Sequence, residues 1–292
     1  MTEKVCPGGF SINRKYIQDI YTERIFISSF VKRDRMTIRA NNPVKSLYTM
    51  NEIIDTLQQH EEMGVTELAD AIDRPQSVVH NHLATLREIE YVVKRDSKYR
   101  IGLRFLKQGE IVRNRMPLYE EGKPVVSRLA SETNELITLI VEEHGQGIYL
   151  EVDQSGSEIN FPAIPGTRTK LHCSAAGKTI LAHLSEERVD EIIERHGLPA
   201  QTSNTITSKE ALFEELEVIR ERGYAYDRQE FREGMRSIAA PLFDESNEIL
   251  GGLSIAGPTH RLHDERLESE LPDLLLQSVN VVELNYNEPN VR

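Results

Sequence analysis

VTELADAIDRPQSVVHNHLATLREIEYVVKRDSKYRIG, residues 65–102, is a short helical pattern, a tight turn, a longer helical pattern and two strand-like segments around a charged turn. Leu68, Ala69 and Ile72 recur at helical spacing in the first part, and Val78, Val79, Leu83, Leu86 and Ile89 in the second. Asp73, Arg74 and Pro75 separate the two, and proline suits the first turn of the helix that follows. Thr66 is placed to cap the first helix. The second is expected over 76–90, with Gln76, Ser77, His80, Asn81 and Thr85 on its outside. Short strands at 91–93 and 99–101 flank Arg95-Asp96-Ser97-Lys98. This is the layout of a winged helix-turn-helix, which sets one helix in the DNA major groove.

Those outward residues have suitable chemistry. Gln76 and Asn81 can pair bidentately with adenine, and Ser77 and His80 suit either a base or a phosphate. Thr66 joins them as a candidate DNA contact. Lys94, Arg95, Lys98 and Arg100 would meet phosphate or the minor groove. A solvated polar helix and a solvated charge run fit the same residues, and the flanking turn and wing favour DNA reading.

Working upstream, Leu47, Met50, Ile53, Ile54 and Leu57 recur at helical spacing with Glu52, Asp55, Gln58 and Gln59 opposite, so a helix is expected to end near His60. Residues 1–35 show no clean period, and residues 1–43 form an N-terminal extension. Either Met36 is the natural start, or the extension is a basic arm that touches DNA. The winged helix is expected over 44–102, a linker helix over 103–117, and a second domain over 118–286.

The chain's net charge of −12 opposes nucleic-acid binding until it is mapped. Residues 1–43 carry 8 basic and 4 acidic side chains, residues 44–110 carry 9 and 11, and residues 111–292 carry 18 and 32. The acid therefore lies away from the DNA module, and local charge is what meets phosphate. So acidic a surface also suggests a high-salt source. Trp is absent and aromatics are 6%, which argues against an aromatic nucleic-acid platform. Two cysteines, Cys6 and Cys173, sit in no metal-ligand spacing and suit a reducing cytoplasm. No apolar run approaches the roughly 18 residues needed to span a membrane. No cofactor motif is evident.

The second domain alternates strands at 136–143 and 148–153 around Gly145-Gln146-Gly147, and a helix over 174–184. Helices at 186–196 and 208–222, strands at 224–227, 237–243 and 249–256, and an amphipathic helix over 265–286 complete it. Strands, helices and a closing antiparallel meander predict an α+β fold. At His172-Cys173-Ser174-Ala175-Ala176-Gly177-Lys178, Ser174 is a natural N-cap and Ala175, Ala176 and Gly177 keep the first turn bare. A helix N-terminus favours an anion, so a small carboxylate is the natural guest, although an ordinary capped helix reads the same way.

Four signatures together resemble the IclR family of transcription regulators: VTELADAIDRPQSVVHNHLATL at 65–86, YRIGLRFLKQG at 99–109, LHCSAAGKTILAHL at 171–184, and GYAYDRQEFREGMRSIAAPLFD with LGGLSIAGP at 223–257. The resemblance covers about residues 44–286. It implies an N-terminal winged helix-turn-helix and a C-terminal GAF-like effector-binding domain. It also implies a homodimer or dimer of dimers on operator DNA, a small organic acid effector, and no enzymatic activity. The implied pocket is Phe161, Ala175, Ala176, Asp227, Met235, Ser237, Ser254 and Ala256. Met235 and Ser237, and Ser254 and Ala256, stand at alternate strand positions, so each pair shares a face. Some members have Ser where this chain has Ala256, which suggests a less polar or larger ligand. For Phe161 and Met235, core packing remains an equal reading.

Other readings are weaker. Gly177-Lys178-Thr179 resembles the end of a phosphate-binding loop, but His172 stands where that motif needs glycine. His172 beside Cys173 could suggest a thiol nucleophile, but no orienting third group is evident. The pairs His80/His82 and His260/His263 make zinc conceivable without supporting it. The competing class is a GAF-like ligand or redox sensor, or an enzyme, whose winged helix makes protein contacts.

Overall fold

A computed structural model describes residues 41–154, 161 and 163–288. The N-terminal extension, with Met36 and the expected basic arm, lies outside the described residues apart from its last three. The chain divides into two compact units between Gln108 and Gly109.

The first unit contains α1 (Lys45–Gln59), β1 (Met63–Gly64), α2 (Val65–Ala71), α3 (Gln76–Glu88), β2 (Val92–Arg95) and β3 (Lys98–Ile101), the strands pairing antiparallel in the order β1-β3-β2. Ile53, Leu68, Val79 and Leu83 are wholly buried in its core. Removing one of these side chains to alanine would cost about 2–5 kcal/mol. The turn between α2 and α3 is held by Ile72 N–H donating to Leu68 O (3.1 Å) and Arg74 N–H to Ala69 O (3.0 Å). Asp73 enters the left-handed region there at φ 52°. Arg74 then grips Glu52 of α1 with both Nε (3.1 Å) and Nη2 (3.2 Å).

Several expectations need correction. The strand β1 was not foreseen, and it moves the start of α2. Gly64 is the N-cap, its N–H donated to the Glu67 carboxylate at 2.7 Å, so Thr66 lies inside the helix and caps nothing. α3 ends at Glu88, and Glu90 at φ 65° reverses the chain, leaving Ile89 39% exposed. Leu47 is also exposed, because α1 turns its first turn away from the core. The wing turn is only Asp96-Ser97, both at positive φ (46° and 71°), so Arg95 and Lys98 are paired strand residues. Two positive φ values in succession match the right-handed twist of the flanking strands.

The division between the units falls within α4 (Arg104–Asn114), in the segment expected as the linker. The second unit is a six-stranded antiparallel sheet with helices on both faces, in keeping with the α+β, GAF-like expectation. Its elements are α5 (Pro117–Thr133), β4 (Leu136–Glu143), β5 (Gln146–Asp153), β6 (Arg168–Thr169), α6 (Ala175–His183), α7 (Glu186–His196), α8 (Lys209–Arg222), β7 (Ala225–Arg228), β8 (Met235–Phe243), β9 (Ile249–Pro258) and α9 (Leu271–Asn287). The order across the sheet is β6-β5-β4-β9-β8-β7, so β4 pairs with β9 across more than a hundred residues. The short edge strand β6 was not anticipated. Gln146 belongs to β5 rather than to the turn, where His144 and Gly145 take positive φ. A widened helical turn, Arg266–Glu270, precedes α9.

Period-2 alternation divides the sheet into two faces. Ile137, Leu139, Val141, Ile238, Leu253 and Ile255 pack with α5 and α9 in one core. Gly122 of α5 lies so close to β4 that a Cβ there would meet Leu139 at 2.6 Å. Ile140, Tyr149, Ala225 and Ala239 pack with α6, α7 and α8 on the other face, where the candidate pocket opens.

Candidate functional site

On the first unit, Gln76, Ser77, His80 and Asn81 are all exposed along one side of α3. Gln76 Nε2 donates to Thr66 Oγ1 at 3.1 Å, joining α2 to α3 across the turn. Thr85 is exposed and returns its hydroxyl to Asn81 O. His82 instead turns Nδ1 to Val78 O at 2.8 Å.

The four wing cations are exposed but not equivalent. Pairing sets Val93 opposite Arg100 and Arg95 opposite Lys98, so these four share one face of the ribbon. Lys94 takes the other face, its ammonium 5.4 Å from the centre of the Tyr99 ring. Lys98 is held by Glu62 at 3.1 Å, while Arg95 reaches Asp96 only at 4.0 Å. Arg95 and Arg100 are therefore the more available charges.

On the second unit, all eight expected effector positions line one cavity: Phe161, Ala175, Ala176, Asp227, Met235, Ser237, Ser254 and Ala256. The pocket also takes Thr138 and Tyr149, which sequence reasoning missed. Thr138 sits on the same face of β4 as Leu136 and Ile140, and its hydroxyl meets the Ser254 hydroxyl at 2.7 Å. It is the one polar side chain in LITLIV, and that was the available signal. Tyr149, Phe161 and Phe231 form an aromatic wall with ring centres 6.1 and 6.2 Å apart. The cavity holds ≈ 40 Å³, room for about three waters.

The polar end of the pocket is the start of α6. Ser174 is its N-cap, as expected, with Oγ accepting the Gly177 N–H at 3.1 Å. Ala175 and Ala176, in the first turn of α6, line the pocket, and the start of a helix has positive character. Gly177 has a different role from the one expected. A Cβ there would meet the Leu171 carbonyl oxygen at 2.1 Å, so its bare Cα admits the preceding loop, and its N–H is already used.

Asp227 faces this end from β7, 4% exposed. Its Oδ1 accepts the Glu230 N–H (2.7 Å) and Phe231 N–H (3.3 Å), while Oδ2 has the Ser237 hydroxyl at 3.5 Å. Burial, assisted by the neighbouring Glu230 charge, pushes its carboxyl up to about 7. Arg236 contributes to the lining, but alternation turns its guanidinium away to Asp264, at 2.7 Å.

Lys178 is buried and donates to Glu230 Oε1 at 2.5 Å, with Glu215 at 3.4 Å. A lysine so committed is no phosphate hook, and the nucleotide reading fails. Burial pushes the Cys173 thiol up and pulls His172 down, with His172 Nε2 facing Pro199 O at 3.1 Å. A neutral buried thiol is a poor nucleophile. Among the described residues no cluster of His, Cys, Asp and Glu is placed to hold a metal ion, and no helix is long and apolar enough to cross a membrane.

Residues 52–96 match the IclR helix-turn-helix domain, and residues 111–283 match the bacterial transcriptional regulator IclR C-terminal domain. The chain is 31% identical over 245 residues to the probable HTH-type transcriptional regulator ArcR of Halobacterium salinarum, covering 82% of this chain and 93% of that one. It is 33% identical to the HTH-type transcriptional regulator BhcR of Paracoccus denitrificans, covering 80% and 85%. The crystal structure of the Thermotoga maritima IclR matches with a TM-score of 0.70 at 27% identity, covering 84% of this chain and 99% of that one. The C-terminal domain of Escherichia coli KdgR matches with a TM-score of 0.53 at 32% identity, covering 59% and 99%. An exposed helix-turn-helix face in one unit and a helix-capped pocket in the other thus sit within shared ancestry along most of the chain, which belongs to the IclR family of DNA-binding transcription regulators and is not an enzyme.

Proposed function

We propose that this regulator binds a palindromic operator as a homodimer or dimer of dimers, and that a small organic acid in the α6 pocket changes that binding to control a catabolic pathway. Gln76, Ser77, His80 and Asn81 read base edges, and Arg95 and Arg100, helped by Lys94 and Lys98, neutralise phosphate. The domain assignment is a winged helix over 44–102, a linker over 103–117 and an effector domain over 118–286. The observation that carries the effector reading is the single cavity into which eight separated positions converge, with the amide end of α6 at its polar side.

One likeness supports a small acid as the ligand class, and a second names a relative by the operon of a small acid. An IclR homologue from Microbacterium hydrocarbonoxydans, 21% identical and alike in fold, has been solved in complex with 4-hydroxybenzoate. A relative from Salmonella typhimurium, 30% identical, is the acetate operon repressor. The Ala256 methyl and the aromatic wall of Tyr149, Phe161 and Phe231 favour an acid with an apolar body.

The ligand shifts the equilibrium between two arrangements of the dimer only as far as it prefers one of them, typically about 1–3 kcal/mol. The test is a gel shift of the chain's own upstream DNA across a salt series, with and without a panel of aliphatic and aromatic acids. A retarded band whose midpoint moves at least several-fold with one acid is the expected result. No retardation at any salt overturns the DNA reading, and retardation indifferent to every acid overturns the effector reading. The competing redox-sensor reading is disfavoured by the buried, neutral Cys173.

A further inference from the structure

We propose that Thr66 is a positioning residue for Gln76, holding its amide in the orientation that reads adenine at one position of each operator half-site; this rests on the DNA-reading assignment of α3. The geometry begins at the backbone. Pro75 at φ −57° starts α3, and the doubled Arg74–Glu52 contact ties the turn to α1, so the Gln76 Cα has a fixed place. The side chain is then fixed too, because Nε2 donates to Thr66 Oγ1 at 3.1 Å.

That bond uses one of the two amide N–H groups. With the N–H trans to Oε1 used in that bond, the second N–H and Oε1 remain side by side in one plane. An adjacent donor and acceptor match adenine N7 and N6–H in the major groove, and no other base edge offers that pair there in the same order. Among the described residues the side chains of Ser77, His80 and Asn81 have no such partner. They must be ordered by the DNA itself, which costs each of them rotamer freedom on binding. Gln76 meets the duplex already oriented.

Thr66 lies in the second position of α2, is exposed, and contributes nothing to the core, so its replacement leaves the fold intact. The experiment uses the full chain to recover duplexes from a randomised pool, and then measures affinities for each base at the position that responds to Gln76→Ala. The wild type should prefer adenine there, and Gln76→Ala should lose that preference. Thr66→Val should lose about five- to tenfold of it, the effect of having to immobilise one long side chain on binding. Thr66→Ser keeps the hydroxyl and should stay within about twofold of wild type. Thr66→Val in the Gln76→Ala background should change nothing further.

Uniform weakening of all four bases by Thr66→Val, full additivity with Gln76→Ala, failure of the serine to rescue, or a base other than adenine at that position each overturns the proposal. If Gln76→Ala alters one base position and Thr66→Val does not, only the positioning role falls. If the wild type recovers no sequence from the pool, the DNA reading itself falls and takes this inference with it.

Discussion

The outer face of α3 and the pocket at the start of α6 solve opposite problems. On α3 the polar side chains are exposed, and among the described residues Ser77, His80 and Asn81 have no side-chain partner, as suits a face that meets another molecule. In the pocket the polar groups are buried and engaged, Thr138 with Ser254 and Asp227 with two backbone amides. A surface that binds phosphate gains from spare charge. A buried cavity cannot leave charge unpaired, so this one presents the start of a helix and a carboxyl that burial makes easier to protonate.

The sharpest way to separate the two regions is Gly177→Ala. Its Cβ would strike the Leu171 carbonyl, so the pocket unit should lose about 3 kcal/mol or more. Calorimetry should show that loss without a matching change in the winged helix; a single concerted shift of both would break the separation. Next, Asn81→Ala should cost about 1–3 kcal/mol against the preferred operator and little against random duplex, read by competition binding.

The pocket should respond to pH through Asp227. Asp227 has its folded-state pKa raised to about 7, so its proton is held below that pH and released above it. An anionic ligand beside it should bind well below pH 7 and weaken by up to about tenfold per unit above, by calorimetric titration. Asp227→Asn should flatten that profile, and an unchanged slope would remove Asp227 from the ligand's surroundings. By linkage the same proton favours the folded state, so this contribution to stability is present below about pH 4 and lost as pH rises through about 7.

Smaller effects grade the wing. Arg100→Ala should weaken all duplexes alike, by about tenfold or less, and reduce the salt slope by about 1. Lys98→Ala should do less, because Glu62 already occupies that ammonium. Glu62→Gln should tighten non-specific binding slightly, by no more than about twofold to threefold for one exposed pair.

The two regions were also unequally legible. α3 could be read directly, since a 3.6-residue period in Val79, Leu83 and Leu86 fixes which side faces out. It failed at Ile89, where one residue at positive φ ends the period, and at Thr66, where a two-residue strand invisible to any pattern moved the cap to Gly64. The capped start of α6 could be read from its residues, but the rest of the pocket was legible only through likeness to a family. Its walls meet by strand pairing across long separations, as with Thr138 and Ser254, 116 residues apart, and no local period encodes that register. The tight fit of Gly177 against Leu171 escaped for the same reason: a bare Cα looks alike whether a ligand or the chain itself approaches it.

The sheet of the second unit is one strand thick, and its neighbouring residues are therefore back to back. Thr138 looks into the pocket, and Leu139, the next residue, presses on α5 where Gly122 leaves no slack. A guest that moves β4 by a few tenths of an ångström cannot do so privately: the sheet works like the skin of a drum, and α5 is the surface on which the beat is felt. Gly122 leaves β4 and α5 in direct contact there, so a methyl group at that position would press on Leu139 and be felt one residue away, at Thr138 in the pocket.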